Sequence, residues 1–435
     1  MPMSQRDAGL VRSIGTRGLA VSTINAVVGA AIFSISGPAA ACVGVYAPLA
    51  FVFCSISIGA VAICFAEGGS RIATSGGAYG YVEAAFGPLA GYVTGTLLWV
   101  SDVLATGGVA SALGESVVSL APASFKTALR ALIIVAVVGG VALINIAGVK
   151  RAVRFIQWAT AVKLLPLAIF LLAGLPAMHR ANFAFSSHVG TQGLGRALIL
   201  ILFALTGMEI SLSVSGEVSK PARTIPRALV ISLTFVTMLY IAIQVTAQGI
   251  LGGALAQSSE PLVDAMARVS PALRMMMLAG AVLSMTGFIS SDILGTPRVL
   301  FAFARDGMLP QVLGRVHPRL HTPYIAIGCY ALAAMVLALT GTFAELAVLA
   351  MLACTVIYIL ACLAAWRLAR DGVAQMGTPL NFRWLGSAVV VGVASMLFMI
   401  ALASRAEILG LCAVVGLSST VYLVQSRAAL ATAKT

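Results

Sequence analysis

The sequence predicts an all-α integral membrane protein with about twelve transmembrane helices, and three observations predict it. Of 435 residues, 60% are hydrophobic and only 9% charged, whereas a soluble domain needs about a quarter of its residues charged to wet its surface. Residues 18–66 contain no Asp, Glu, Lys or Arg, enough for two crossings at about 20 residues each. These apolar runs do not alternate every second residue as barrel strands would, and backbone groups in hydrocarbon must bond internally, so they read as helices.

Taken in order, the first two helices, 17–41 and 46–67, divide that first charge-free run. A third spans 88–118 and a fourth, 127–148, covers the charge-free window 131–149. The fifth, 152–175, follows the cationic cluster Lys150, Arg151 and Arg154, and a sixth spans 194–217. The seventh, 227–251, lies in the window 228–259, and the eighth spans 272–303. The last four, 322–340, 344–369, 384–404 and 406–426, match the windows 320–344, 346–366, 384–404 and 408–426.

The net charge of +13 orients the chain rather than recruiting nucleic acid. With the N-terminus cytoplasmic, nineteen of the 27 Lys and Arg fall in inside segments and seven outside, with Lys163 left in mid-membrane. That asymmetry is what the positive-inside rule expects for a multi-pass protein with both termini cytoplasmic. The seven cysteines show no paired or metal-ligand spacing and read as small packing residues. The four histidines, His179, His188, His317 and His321, fall in or near loops. No cofactor is implied.

Two helices are punctuated. The first reads Asn25-Ala-Val-Val-Gly-Ala-Ala-Ile-Phe33 and the sixth Phe203-Ala-Leu-Thr-Gly-Met-Glu-Ile-Ser211. Glycine costs a helix interior up to about 1 kcal/mol relative to Ala. Either these are packing glycines, or they are matched interruptions that open two inverted five-helix halves with a binding site at the midplane. In the second reading the organisation is a tail (1–16), a first repeat (17–175), a second inverted repeat (194–370), two extra helices (384–426) and a second tail (427–435). Unwinding frees N–H donors on one side of a break and C=O acceptors on the other, which together suit a zwitterion.

Four elements resemble the amino acid–polyamine–organocation superfamily of permeases. Gly29-Ala-Ala-Ile-Phe33 resembles the first-helix element of that family, and Ser75-Gly-Gly-Ala-Tyr-Gly-Tyr81 with Phe86-Gly-Pro88 resembles the loop before its third helix. Gly207-Met-Glu209 and the segment from Glu217 to Arg227 resemble the sixth helix and its exit. Arg298 to Pro310, with His317-Pro318 and Thr322-Pro323, resembles the end of the eighth helix. The resemblance implies a LeuT-like five-plus-five inverted repeat with broken helices 1 and 6, working by alternating access. It implies substrate contacts at Val27, Gly29, Ala30 and Ala31, and at Phe203, Ala204, Thr206 and Gly207. Ala30 and Ala31 replace the Ser and second Gly of the family element, which removes a hydroxyl and narrows the approach to the backbone.

Four ionisable side chains fall near mid-span: Asp102, Lys163, Glu209 and Asp292. Each costs about 2.5–3.5 kcal/mol to insert, so each needs a partner or a task. Lys163 lies about eight rises of 1.5 Å beyond the Lys150–Arg154 cluster. It suits a proton carrier, or a structural counter-ion for Glu209 or Asp292. In many family members a lysine here replaces a sodium ion, which implies sodium-independent transport. Glu209 follows the sixth-helix break and either organises it or relays a proton. Asp102 and Asp292, if both face the cavity, favour a cationic substrate; the alternative is bonding to hydroxyls such as Ser101, Ser290 or Ser291. Glu217, Arg223 and Arg298 are gating candidates at the inner face.

The expectation is therefore a secondary active transporter for amino acids or related organic amines, sodium-independent, coupled to protons or working by exchange. A polyamine or basic amino acid antiporter and a flux-free sensor are the alternatives. Its partners are a small-molecule amino acid or amine, protons, the lipid bilayer of a bacterial inner membrane and, through the last two helices, a second copy in a homodimer. An enzyme is not expected, because no intramembrane His, metal-ligand cluster or nucleophile–base pair is present. A channel is not expected, because no ring of like charges or carbonyls repeats.

Overall fold

A computed structural model describes residues 14–29, 31–72, 77–118, 122, 125–183, 191–212, 218–305, 308–320, 322–375 and 378–432. Among these residues the architecture is all-α, and the single β feature recorded is an isolated bridge between Ile14 and Val218. Ten helices are long and apolar enough to cross a membrane; two shorter apolar ones, Val162–Ala177 and Tyr324–Thr340, complete the predicted twelve.

The first predicted helix is in pieces: α1 (Thr16–Val27), α2 (Ala31–Ser34) and α3 (Ser36–Val43). The second is α4 (Ala47–Arg71). A short helix that periodicity missed, α5 (Ala78–Phe86), precedes the third span, α6 (Pro88–Val118). Pro88 suits that start, since the first helical position needs no N–H. The fourth and fifth spans are α7 (Lys126–Ile146) and α8 (Val149–Gly174).

The sixth span is again broken, into α9 (Thr191–Leu205) and α10 (Met208–Leu212). The seventh, α11 (Pro221–Leu251), begins six residues before its predicted start, with Pro221 in its first turn. After a short α12 (Pro261–Ala267), the eighth span divides at Thr296 into α13 (Pro271–Gly295) and α14 (Pro297–Arg305). Pro297 supplies no N–H at that point. The remaining spans are α15 (Tyr324–Thr340), α16 (Phe343–Arg370), α17 (Leu385–Leu402) and α18 (Arg405–Thr432).

Packing is organised around a few long pairs: α16 along α6, α11 along α4 and α1, and α13 along α8. Small residues allow the close approach. A Cβ on Gly107 would lie 2.9 Å from Leu337, and one on Gly280 would strike Pro166. Membrane helices associate largely through this kind of packing, because lipid offers no hydrophobic driving force between them. α18 is the outermost element, with only 6% of its span buried.

Arg71 does not face headgroups. It is buried and pairs with buried Glu67 at 2.8 Å, while its guanidinium also donates to Val373 O at 2.9 Å and Asn381 Oδ1 at 2.6 Å. Glu67 Oε2 accepts from Phe382 N at 3.0 Å. This cluster ties the end of α4 to the chain between α16 and α17. Every polar group of the pair is used, which is the condition for burying charge.

Candidate functional site

The two breaks lie side by side. Helicity stops at Val27, Val28 and Gly29 are non-helical, and the helix resumes at Ala31. In the sixth span, Thr206 and Gly207 are non-helical between α9 and α10. Gly207 has φ +120°, and a Cβ there would sit 2.8 Å from Ala26 O, 2.9 Å from Ala26 C and 3.1 Å from Val27 N. Only glycine meets both demands, a backbone conformation that L side chains rarely adopt and peptide-to-peptide contact. Gly29 makes room differently: a Cβ there would meet the Phe288 ring at 2.9 Å.

Breaking α1 leaves carbonyls without intrahelical donors, and side chains take them up. Tyr240 donates its hydroxyl to Val27 O at 2.8 Å, and Ser284 donates to Gly29 O at 3.0 Å. Lys163, buried on α8, donates Nζ to Asn25 O at 2.7 Å and to the Asn25 side-chain carbonyl. At the other break, Thr206 turns its hydroxyl back to Phe203 O at 2.7 Å. Glu209 accepts from Gly207 N at 3.1 Å and, through Oε2, from the Tyr358 hydroxyl at 2.8 Å.

Between the breaks lies a narrow cavity. Ala26, Val27, Gly29 and Ala31 form one wall, and Phe203, Thr206, Gly207, Glu209 and Ile210 a second. α6 contributes Ser101, Asp102, Ala105 and Val109; Phe288 of α13 and Cys354 of α16 complete the lining. Its interior of about 30 Å³ is room for little more than a water molecule. An amino acid enters only if these walls separate. Phe203 stands edge-on to Phe343, centroids 6.0 Å apart.

Of the residues singled out in the sequence, Val27, Gly29, Ala31, Phe203, Thr206, Gly207, Asp102 and Glu209 line this cavity. Ala204 is buried but is not part of the lining, and Ala30 lies outside the described residues. Asp292 is also outside the lining: it is buried on α13, accepting from Thr106 Oγ1 at 2.7 Å and Tyr330 OH at 3.1 Å. Asp102 accepts from Thr296 Oγ1 at 2.6 Å.

The hydroxyl partners are thus Thr296, Thr106 and Tyr330, not the serines flagged beforehand. Ser101 instead bonds Ala350 O at 3.0 Å, and Ser291 bonds back to Gly287 O. The alternative role of Lys163 as counter-ion to an acid is not what the geometry shows, since its partner is the Asn25 amide. Arg223 is exposed in the first turn of α11, Arg298 is half-buried on α14, and Glu217 lies outside the described residues. Periodicity missed Asn25, Tyr240, Ser284, Phe288, Cys354 and Tyr358. Each acts through tertiary contact, for which only the polarity of Asn25 and Ser284 inside apolar runs left a trace.

The family profile described as "Amino acid permease" matches residues 14–420. The chain belongs to the amino acid permease family. Its relatives include the methylthioribose transporter of Bacillus subtilis (strain 168), 26% identical over 335 residues and 73% of each chain. The branched-chain amino acid permease BcaP of the same organism is 26% identical over 338 residues, covering 74% of this chain and 73% of the relative. The serine/threonine exchanger SteT, also from that organism, is 28% identical over 380 residues, covering 85% and 86%. Members of this permease family are transporters rather than enzymes, which agrees with a cavity between two broken helices in an apolar bundle.

Proposed function

We propose that this permease is a secondary active transporter of amino acids or related organic amines, sodium-independent and working by alternating access. The supporting observation is the contact of the two breaks at Gly207 and Ala26, with one cavity lined from both sides. In this reading the halves 17–175 and 194–370 are inverted repeats, and residues 384–426 are accessory. The membrane is a bacterial inner membrane with both termini cytoplasmic, as the distribution of Lys and Arg supports.

The substrate carboxylate turns to N–H groups freed at the breaks. Its ammonium turns to Asp102 and Glu209, because the Val27 and Gly29 carbonyls already hold hydroxyl donors. Lys163 places a cationic group against the freed Asn25 carbonyl, which supports transport without sodium and makes it a candidate for proton coupling. Relatives named for serine and threonine, for branched-chain amino acids and for methylthioribose support a small organic substrate without choosing among those classes.

One observation favours the narrower reading of a basic amino acid or polyamine antiporter: Asp102 and Glu209 both face the cavity, and among the described residues no cation lines it. Uptake into sodium-free proteoliposomes tests both. A panel of neutral, acidic and basic amino acids plus putrescine is offered with and without a pH gradient. Saturable uptake of at least one member is expected, with basic members preferred in the narrower reading. No flux of any would leave a sensor and remove the carrier reading.

A further inference from the structure

One six-residue pattern occurs twice. Ser101-Asp-Val-Leu-Ala-Thr106 lies on α6, and Ser291-Asp-Ile-Leu-Gly-Thr296 runs from the last turn of α13 to the residue that caps it. The Ser, Asp, Leu and Thr recur unchanged, and the other two positions differ conservatively. The two copies also bind each other. Thr296 of the second donates to Asp102 of the first at 2.6 Å, and Thr106 of the first donates to Asp292 of the second at 2.7 Å. Contacts of 102 with 296 and 106 with 292 require antiparallel helices. Reciprocal contacts of this kind are what a local two-fold axis produces. α6 and α13 are the third spans of the two proposed halves, so the pairing sits where an inverted repeat would place it.

The two aspartates are not equivalent. Asp102 lines the cavity and is 6% exposed, whereas Asp292 is 2% exposed and is not part of the lining. Asp292 Oδ2 takes both hydroxyl donors, Thr106 and Tyr330, and its Oδ1 is buried with no hydrogen-bond partner among the described residues. The titratable groups facing the pair are Tyr330 of α15, Glu209 at the break, and Tyr358 and Cys354 of α16. The cations of neighbouring helices are engaged elsewhere or stand outside the cavity. Lys163 of α8 is held by Asn25, Arg130 of α7 by Ser111 and Ala338 O, and Arg298 of α14 is half-buried. Among the described residues neither aspartate is in an ion pair. Two adjacent carboxylates held only by hydroxyls, one with a bare oxygen, do not both stay ionised in a low-dielectric interior.

We infer that the twin hexads form a proton-holding clasp in which Asp292 carries a proton and Asp102 keeps its charge toward the cavity, and that an ammonium group docking on Asp102 expels that proton. The inference rests on the carrier reading and fixes its coupling as exchange of a cationic amine against a proton. The balance closes. Asp292 passes from carboxylic acid to carboxylate, its proton leaves through the opened cavity to solvent, and the incoming ammonium replaces the lost positive charge. The O–H bond on Asp292 is the only covalent bond broken.

Isothermal titration of the purified full chain with L-lysine, putrescine and L-leucine, in two buffers of different protonation enthalpy, counts protons released per ligand bound. The cationic probes are expected to release about one proton. In Asp292→Asn the count per bound ligand should fall to near zero, and in Gly140→Ala, where a Cβ on α7 meets nothing within 4 Å, it should stay near one. An undiminished count in Asp292→Asn overturns the clasp.

Infrared difference spectra of the unmodified protein guard against misfolded variants. Adding L-lysine should bleach the carbonyl band of a protonated carboxyl group, and no bleach overturns the inference. Binding of a cationic probe without proton release refutes the clasp alone. Failure of all probes to bind, with no uptake in proteoliposomes, refutes the carrier reading and the clasp with it.

Discussion

Replacing Gly207 with Ala tests the contact on which the cavity depends. The new Cβ would sit 2.8 Å from Ala26 O and 2.9 Å from Ala26 C, roughly 0.5–1 Å inside ordinary carbon contact distances. Holding a non-glycine residue at φ +120° costs about 1–3 kcal/mol. Forcing a methyl into packed backbone costs about 1–3 kcal/mol more. The expected penalty is therefore about 2–6 kcal/mol, relieved only by moving the breaks apart. Thermal unfolding in detergent, read beside uptake by the same preparation, measures both consequences. Gly140→Ala is the control, because a Cβ at Gly140 on α7 meets nothing within 4 Å. There alanine should be neutral or stabilising by up to about 1 kcal/mol. If Gly207→Ala melts and transports like Gly140→Ala, the breaks do not bear on each other and the reasoning fails.

Three further outcomes are expected. Lys163→Ala removes the cationic group from the Asn25 carbonyl and should abolish or uncouple pH-dependent uptake; an unchanged pH profile in proteoliposomes dismisses a coupling role. Arg71→Ala leaves buried Glu67 without its partner and should destabilise the protein by about 3–5 kcal/mol, seen as a lower melting temperature and loss of monodisperse protein on gel filtration. Tyr358→Phe deletes the hydroxyl that donates to Glu209 and should cost about 1–3 kcal/mol. It should also weaken substrate binding in titration calorimetry, and an unaltered affinity would detach Glu209 from the site.

The helices were legible because lipid imposes a one-dimensional rule: long charge-free runs must be helical. Both breaks were legible for a related reason, since glycine and polar residues in mid-span gain a helix nothing. What stayed hidden depends on how helices turn toward one another. Lys163 was visibly deep, yet its partner is the Asn25 amide, a pairing set by how α8 leans on the α1 break. Asp292 looked like a cavity residue from its position along the span, and its carboxylate instead accepts from Thr106 and Tyr330 outside the lining. The buried pairing of Arg71 with Glu67 likewise depends on tertiary contact. The twin hexads were readable as letters, but their meaning required seeing Thr296 reach Asp102. α5 escaped because nine residues are too few for an apolar period to declare itself.

Cys354 offers the most direct test of where substrate sits, because its thiol lines the cavity beside Ser101, with Sγ 3.0 Å from Ser101 Oγ. With the other six cysteines replaced, the rate at which a small membrane-permeant alkylating reagent reaches Cys354 is measured in proteoliposomes, with and without a saturating transported amino acid. Occupancy of the space between the two breaks predicts marked slowing, graded with the concentration that half-saturates uptake. An alkylation rate indifferent to a substrate that the same vesicles transport would place the binding site elsewhere.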